Sequence, residues 1–294
     1  MRFEDKVNEI NKRLEQGGLS FGQGMDDAMT EAIFLVATAA GFDLYDLDEE
    51  DAWDYVLSNK VLARIDEIAE IRISERRPLP YILGECYFSG HRFYIDDRTI
   101  IPRSYLSEWI PDRFEPWIDS SRVHRILDLC TGSGCIAIST ALAFPDAVVT
   151  ATDLSKDALE VAKRNVERYQ LQDRVELCQG DLFSPVSGTY DLILCNPPYV
   201  SGARMDALPS EFTQEPELAF RGGEDGLDIV RVLLSQAADY LEPDGAMIVE
   251  SGSASPDLET EFPTVPFNWL STEFDEMVVF MLSRNDLASL GGGK

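Results

Sequence analysis

Histidine is scarce in this chain of 294 residues: His91 and His124 are the only two. With no CxxC pair either, nothing is left at metal-ligand spacing, so no metal is expected. The five cysteines, Cys86, Cys130, Cys135, Cys178 and Cys195, are odd in number and scattered, mostly in apolar strand-like segments. That usage fits buried reduced thiols. No nucleophile motif accompanies either histidine, so a Ser–His or Cys–His catalytic pair has no support. Long apolar runs are absent as well. The longest stretch, 32–40, falls well short of the ~20 residues that cross a bilayer. The opening MRFEDK is charged and has no signal-peptide apolar core. The expectation is a soluble, cytoplasmic protein that does not engage a membrane.

Basic residues are also in short supply: 25 Lys and Arg against 53 Asp and Glu, a net charge of -28. Phosphate contacts dominate nucleic-acid affinity, so direct nucleic-acid binding is not expected. The field instead favours a basic partner such as a Lys/Arg-rich protein. Solubility in a saline cytoplasm would account for the same acidity.

At 45% hydrophobic, the chain can bury the core of one large domain or two ordinary ones. Residues 1–77 read as helical. Segment 25–40 is apolar on a broad face, preceded by Gly22, Gly24 and a candidate cap, Asp26, and stopped by Gly41. Segments 48–59 and 60–77 continue at helical spacing until Pro78 and Pro80. Residues 81–101 switch to strand spacing, with a hairpin turning at Gly90; 102–122 hold Pro102-Arg103 and a short helix. From 123 onward strands alternate with helices. Strands are expected at 124–130, 147–153, 174–179, 190–196, 245–251, 267–273 and 276–283, and helices at 134–143, 156–169, 226–241 and 255–261. The alternation implies an α/β fold, a parallel sheet with helices on both faces. The last two strands are too close for a crossover helix and should form an antiparallel pair at the sheet edge. The expected domains are a helical 1–80, a hairpin and linker over 81–122, an α/β domain over 123–284, and a disordered tail over 285–294.

The stretch RILDLCTGSGCIAI, residues 125–138, carries a strand into the turn Thr131-Gly132-Ser133-Gly134 and a helix out of it. The glycines permit close backbone approach to a ligand, and the helix start supplies unpaired N–H groups. Gly132-x-Gly134-x-x-Ala137 also fits the dinucleotide fingerprint, so a nicotinamide or flavin enzyme stays open. Asp153 ends the next strand, where a carboxylate can accept from ribose hydroxyls; Asp181 ends the third, where it can accept from an adenine amino group while Leu182 covers the ring. These acids at successive strand ends converge on one crevice suited to an adenosine ligand.

The fourth strand ends in CNPPYV, residues 195–200. Asn196 presents a carbonyl oxygen and an NH2 group side by side, which matches a planar carboxamide or the edge of adenine. Pro197 and Pro198 lack N–H, so this stretch offers carbonyl acceptors on fixed φ angles without competing donors. The Tyr199 ring can stack on a flat group. Such a turn suits transfer to a nitrogen whose lone pair is delocalised: it can align that nitrogen and accept from its N–H bonds as charge builds.

Taken together, Asp128-x-Cys130-Thr131-Gly132-Ser133-Gly134, Asp153, Asp181 and Asn-Pro-Pro-Tyr resemble a class I S-adenosylmethionine-dependent methyltransferase over 123–284. The resemblance implies a Rossmann-like, seven-stranded, mostly parallel sheet with an antiparallel last strand. It implies S-adenosyl-L-methionine as cofactor and S-adenosyl-L-homocysteine as product, held by Asp128, Cys130, Thr131, Gly132, Ser133, Gly134, Asp153, Leu154, Asp181, Leu182 and Asn196. Members often carry glycine where this chain has Cys130. In that family Asn-Pro-Pro-Tyr marks transfer to adenine or to a glutamine amide. The flanks 76–103 and 208–231 resemble the protein-glutamine methyltransferases, which pair a helical N-terminal substrate-recognition domain and a hairpin with the catalytic domain. Pro102-Arg103-Ser104 together with Cys-Thr-Gly-Ser-Gly-Cys, 130–135, resembles the branch acting on ribosomal protein uL3, a basic protein; release-factor enzymes typically show Pro-Arg-Pro-x-Thr-Glu. The implied catalytic residues are Asn196, Pro197 and Tyr199, and the implied substrate-binding residues are Asn196, Pro197, Pro198 and Tyr199. Release factors, adenine in nucleic acids, a dinucleotide oxidoreductase and a non-enzymatic uL3-binding factor remain as alternatives.

Overall fold

Apolar residues recur every three or four positions through the first eighty residues, and each such segment has become a helix. The computed structural model describes residues 1–47, 50–273 and 277–290. It divides into two units. Unit 1 comprises Met1–Cys86, Ile95–Asp97 and Pro209–Glu215; unit 2 comprises the other described residues.

In unit 1, α1 (Phe3–Gln16) buries Phe3, Val7, Ile10 and Leu14 along one stripe. α2 (Ala28–Ala40) is buried on most sides and packs against both α1 and α4 (Asn59–Ser74). Its N-cap is Asp27, whose carboxylate accepts from Thr30 N–H at 2.8 Å, rather than the expected Asp26. The helix stops at Gly41 in a left-handed conformation, φ 84°. The expected helix over 48–59 is shorter: α3 spans Glu50–Asp54, and positions 48 and 49 lie outside the described residues. It ends early because the backbone of 55–57 pairs with the chain start, Phe3 N–H donating to the Tyr55 carbonyl at 2.8 Å and Leu57 N–H to that of Met1 at 3.0 Å. α5 (Leu79–Leu83) opens with Pro80 in its first turn.

At the centre of unit 1 Arg72 is fully buried and makes a two-pronged ion pair with Glu31 at 2.9 and 3.0 Å. Removing either partner would strand a buried charge. The 209–215 segment belongs here through Glu211, which accepts from Arg76 Nη1 at 2.8 Å and Ser20 N–H at 2.9 Å.

The hairpin is as expected, with β1 (Glu85–Phe88) and β2 (His91–Tyr94) forming a two-stranded sheet. The main sheet of unit 2 has seven strands: β3 (Arg125–Leu129), β4 (Val148–Asp153), β5 (Val175–Gln179), β6 (Tyr190–Cys195), β7 (Leu241–Glu250), β8 (Asn268–Leu270) and β9 (Val279–Ser283), in the order β5-β4-β3-β6-β7-β9-β8. The first five in sequence run parallel; β9 runs antiparallel to both β7 and β8. The two last strands therefore sit at the sheet edge as expected, with β9 the inner one.

β6 is buried continuously from Leu192 to Cys195 because helices cover both faces. Leu127, Leu129, Ile193 and Cys195 join a cluster with Val230, Leu233 and Leu234 of α9 (Asp228–Gln236), Leu258 of α10 (Ser255–Glu261) and Leu287 of α11 (Arg284–Leu290). Strand alternation turns Ile126 and Asp128 to the opposite face, where α6 (Cys135–Ala143) starts; α7 (Lys156–Arg168) packs beside α6. The short α8 (Gly202–Met205) follows β6. α11 corrects the expectation of a disordered tail over 285–294: Leu287 is buried, and apolar contact orders the segment as far as Leu290. Residues 291–294 lie outside the described residues. No described helix is long and apolar enough to cross a membrane.

Candidate active site

β3 lies at the switch point of the sheet, flanked by β4 on one side and β6 on the other. Ligands of open α/β sheets bind beyond the carboxyl ends of strands at such a point. The expected site residues end these strands: Asp128 to Gly134 on and after β3, Asp153 and Leu154 after β4, Asp181 and Leu182 after β5, and Asn196 to Tyr199 after β6.

The turn after β3 is held from below by Asp128. Its carboxyl is wholly buried; Oδ2 accepts from the Thr131 hydroxyl at 2.5 Å and from Ala137 N–H at 3.1 Å. Oδ1 has no partner. Burial pushes this carboxyl up to about 7, against the pull of the Thr131 and Ala137 donors. Cys130 occupies the left-handed region at φ 59°, a backbone conformation that favours glycine. Gly134, at φ 80°, is in the left-handed region and closely approached: a Cβ there would stand 3.1 Å from that of Ala162. Thr131 and Ser133 are buried, so their part is to shape the turn.

Asp153 is the second anchor. Its Oδ2 accepts from Gly132 N–H and its Oδ1 from Ser155 N–H, both at 2.8 Å. Burial pushes this carboxyl up, and those two N–H donors oppose the shift. Each oxygen keeps a second acceptor site. Leu154 beside it is an apolar side chain left 54% exposed. Asp181 is exposed, and Leu182 is buried at φ 45°.

These features fit S-adenosylmethionine. The ligand brings a sulfonium and an ammonium cation, two ribose hydroxyls and an adenine ring. The strand ends supply a buried Asp128 oxygen without a partner among the described residues, the further acceptor sites of Asp153, an exposed carboxylate at Asp181 and the half-exposed apolar Leu154.

At the end of β6, Asn196 is half-buried, Pro197 buried, and Pro198 and Tyr199 half-buried. Among the described residues, no protein group hydrogen-bonds the Asn196 side chain. The motif is fixed from outside its own sequence. Val200 N–H donates to the Phe220 carbonyl at 2.8 Å, and Gly222 N–H returns to the Val200 carbonyl at 3.0 Å. Gly222 and Gly226 let this second segment press against the first: a Cβ on Gly222 would lie 2.6 Å from the Pro198 carbonyl oxygen, and one on Gly226 would run into that of Tyr199.

Two buried residues that brace the site escape sequence reasoning. Asn165, fully buried on α7, donates through Nδ2 to the Ser133 carbonyl at 2.9 Å and to the Tyr94 carbonyl at 3.0 Å, and accepts from Tyr94 N–H at 2.8 Å. It ties the hairpin to the turn after β3. Glu250, the last residue of β7, is buried and accepts from Tyr199 Oη at 3.1 Å, Ser104 Oγ at 2.6 Å and Tyr105 N–H at 2.9 Å. Burial pushes its carboxyl up to about 6, against these donors and the nearby Arg103. Its signal was present: like Asp128 and Asp153, it is an acid closing an apolar strand.

The Asp128 geometry carries a prediction. Its folded-state pKa lies above the unfolded one, so the folded protein binds the proton more tightly. Stability from this group is therefore lost as pH rises from about 4 through about 7. Asp128→Asn, uncharged throughout, should gain stability relative to the parent across that window, read by thermal unfolding at about pH 5 and about pH 8. The same exchange should weaken S-adenosylmethionine binding at least about tenfold, because the free oxygen becomes an NH2 group. Unchanged affinity by calorimetry would remove Asp128 from the cofactor site.

The methyltransferase small domain family matches residues 116–265. The ribosomal protein uL3 glutamine methyltransferase of Bordetella pertussis is 43% identical over 291 residues, covering 97% of this chain and 96% of its own. That of Neisseria gonorrhoeae is 42% identical over 290 residues, with 97% and 95% covered. The Bradyrhizobium diazoefficiens enzyme of the same name is 43% identical over 291 residues, with 96% and 91% covered. With its sheet order, its Asn-Pro-Pro-Tyr turn and full-length similarity to these relatives, the chain belongs to the ribosomal protein uL3 glutamine methyltransferase family.

Proposed function

We propose that this protein transfers a methyl group from S-adenosylmethionine to the side-chain amide nitrogen of a glutamine in ribosomal protein uL3, in the cytoplasm. The observation that carries the site assignment is the Asn196 amide. Among the described residues it has no protein partner; it stands at the end of β6, next to the β3 turn, on a backbone whose following two residues have no N–H.

S-adenosylmethionine, when bound, supplies an electrophilic methyl on a sulfonium. The chain's own residues must make a poor nucleophile usable. A glutamine amide nitrogen shares its lone pair with the carbonyl, so attack costs it that conjugation. The Asn196 carbonyl oxygen and the Pro197 carbonyl can each accept one N–H of the substrate amide, while the Asn196 NH2 donates to its carbonyl oxygen. Both N–H acceptors gain strength as positive charge develops on nitrogen, and they are already in place before the reaction. The Tyr199 ring packs against the flat amide and limits water. Residues 1–80 serve as the substrate-recognition domain, and the net charge of -28 draws a basic protein toward the enzyme.

The test is transfer of labelled methyl to purified uL3, peptide release factor, RNA and DNA in parallel. Label on uL3 is expected. Label on release factor alone would move the assignment to the sister branch, and label on nucleic acid alone would move it to an adenine methyltransferase.

A further inference from the structure

Tyr199 follows the two prolines directly, and its phenol does not point freely into solvent. It donates to Glu250 Oε1 at 3.1 Å, and its ring lies against Gly252, where a Cβ would stand 2.5 Å from Cε2. Glu250 also reaches a distant part of the chain. Its Oε2 takes the Ser104 hydroxyl and the Tyr105 N–H, and Ser104 Oγ in turn accepts from Leu106 N–H at 3.2 Å. One residue earlier, Arg103 donates to the Ile101 carbonyl at 3.0 Å and stacks its guanidinium over Phe220 at 5.4 Å. Phe220 is the residue whose carbonyl holds Val200. The 103–106 turn thus grips the Asn-Pro-Pro-Tyr segment at two consecutive residues, Tyr199 through Glu250 and Val200 through Phe220.

We propose that Glu250 is a positioning residue for methyl transfer: by joining the Ser104–Tyr105 turn to the Tyr199 phenol, it fixes the backbone that presents Asn196 and the Pro197 carbonyl to the substrate amide. This rests on the glutamine-methyltransferase reading. A buried carboxylate that fills three donors from two separate segments is costly to place. Here it converts a turn of irregular backbone into a single rigid support. Glu250 touches Tyr199 and not the reacting atoms, so it acts on the rate through another residue. Glu250→Gln keeps the shape. One oxygen can still serve Ser104 and Tyr105, but the NH2 then faces Tyr199, whose hydroxyl must reverse from donor to acceptor.

The experiment is a double-mutant cycle of Glu250→Gln and Tyr199→Phe, with kcat, KM for uL3, and cofactor affinity by calorimetry. Each single change should lower kcat by roughly tenfold, with cofactor affinity kept within about twofold and KM for uL3 moving less than kcat. The double variant should be no slower than the slower single one within about twofold, because both changes break one link. Multiplied losses, an unchanged kcat in Glu250→Gln, or a parallel loss of cofactor affinity would each overturn the proposal. If Glu250→Gln does not fold, Ser104→Ala with Tyr199→Phe interrogates the same link from its donors, with the same non-additive outcome expected and multiplied losses counting against it. A parent enzyme that labels no uL3 sinks the functional reading instead; the cycle is then run on whichever acceptor the parent labels.

Discussion

Replacing Asn196 with alanine is expected to lower kcat by about 10²- to 10³-fold, while S-adenosylmethionine affinity changes far less. The magnitude follows from what the side chain does. It supplies the acceptor for a substrate N–H that carries growing positive charge, and the donor that orients the substrate carbonyl. Both are lost together, and the site keeps only the Pro197 carbonyl. The half-buried Asn196 contributes little to the core, so the protein should fold normally. Single-turnover kinetics with labelled cofactor separate the step from binding. A variant with parental kcat would remove Asn196 from the chemistry.

The second large effect is expected at a residue that touches no substrate. Gly226 has φ +90°, and a Cβ on it would run into the Tyr199 carbonyl oxygen. Gly226→Ala therefore adds a left-handed alanine, about 1–2 kcal/mol, and forces the Asn-Pro-Pro-Tyr backbone to move. A displacement of about 1 Å at a reacting site can cost about 10²-fold, and that is the expected loss in kcat. Gly41→Ala is the control. It has the same kind of backbone, φ +84°, but nothing lies within 4 Å of the added Cβ, and it ends α2 in unit 1. It should lose thermal stability and keep its kcat. Equal activity losses in both variants would show that backbone strain alone, and not pressure on the motif, is responsible.

The sequence made legible those parts of the site that local strand and turn patterns mark. Asp128, Asp153 and Asp181 could be singled out because each lies at or just past the end of a strand, and the strand–helix alternation implied that those ends lie side by side. Asn196 to Tyr199 stood out because prolines after a buried strand restrict the backbone so strongly. Glu250 obeyed the same strand-end rule, but its meaning depends on Ser104, Tyr105 and Tyr199, which are 146, 145 and 51 residues away. Asn165 was invisible for a related reason: a polar residue on an amphipathic helix reads as solvated until the hairpin and the β3 turn are brought to it. The short α3 is a different failure. Its helical spacing is real, yet pairing with the chain start captured 55–57 as extended backbone. Helix α11 was missed because the triple glycine that follows it drew the whole segment into an expected tail.

Gly222 and Gly226 show how the second segment works on the first. Similarity over 208–231 pointed to the family without giving the stretch a task. In the structure it is the backbone partner of Val200 and the close neighbour of Pro198 and Tyr199. Its glycines are there because a side chain would occupy the space of the motif's own carbonyls.

The most direct test of the central claim is a mass-spectrometric map of uL3 after incubation with the enzyme and S-adenosylmethionine. A mass increase of one methyl on a single glutamine, with fragment ions placing it on the side-chain nitrogen, is the predicted result. A methyl found on a lysine, an arginine or the N-terminal amine, or no modification of uL3 while another acceptor is labelled, would contradict it.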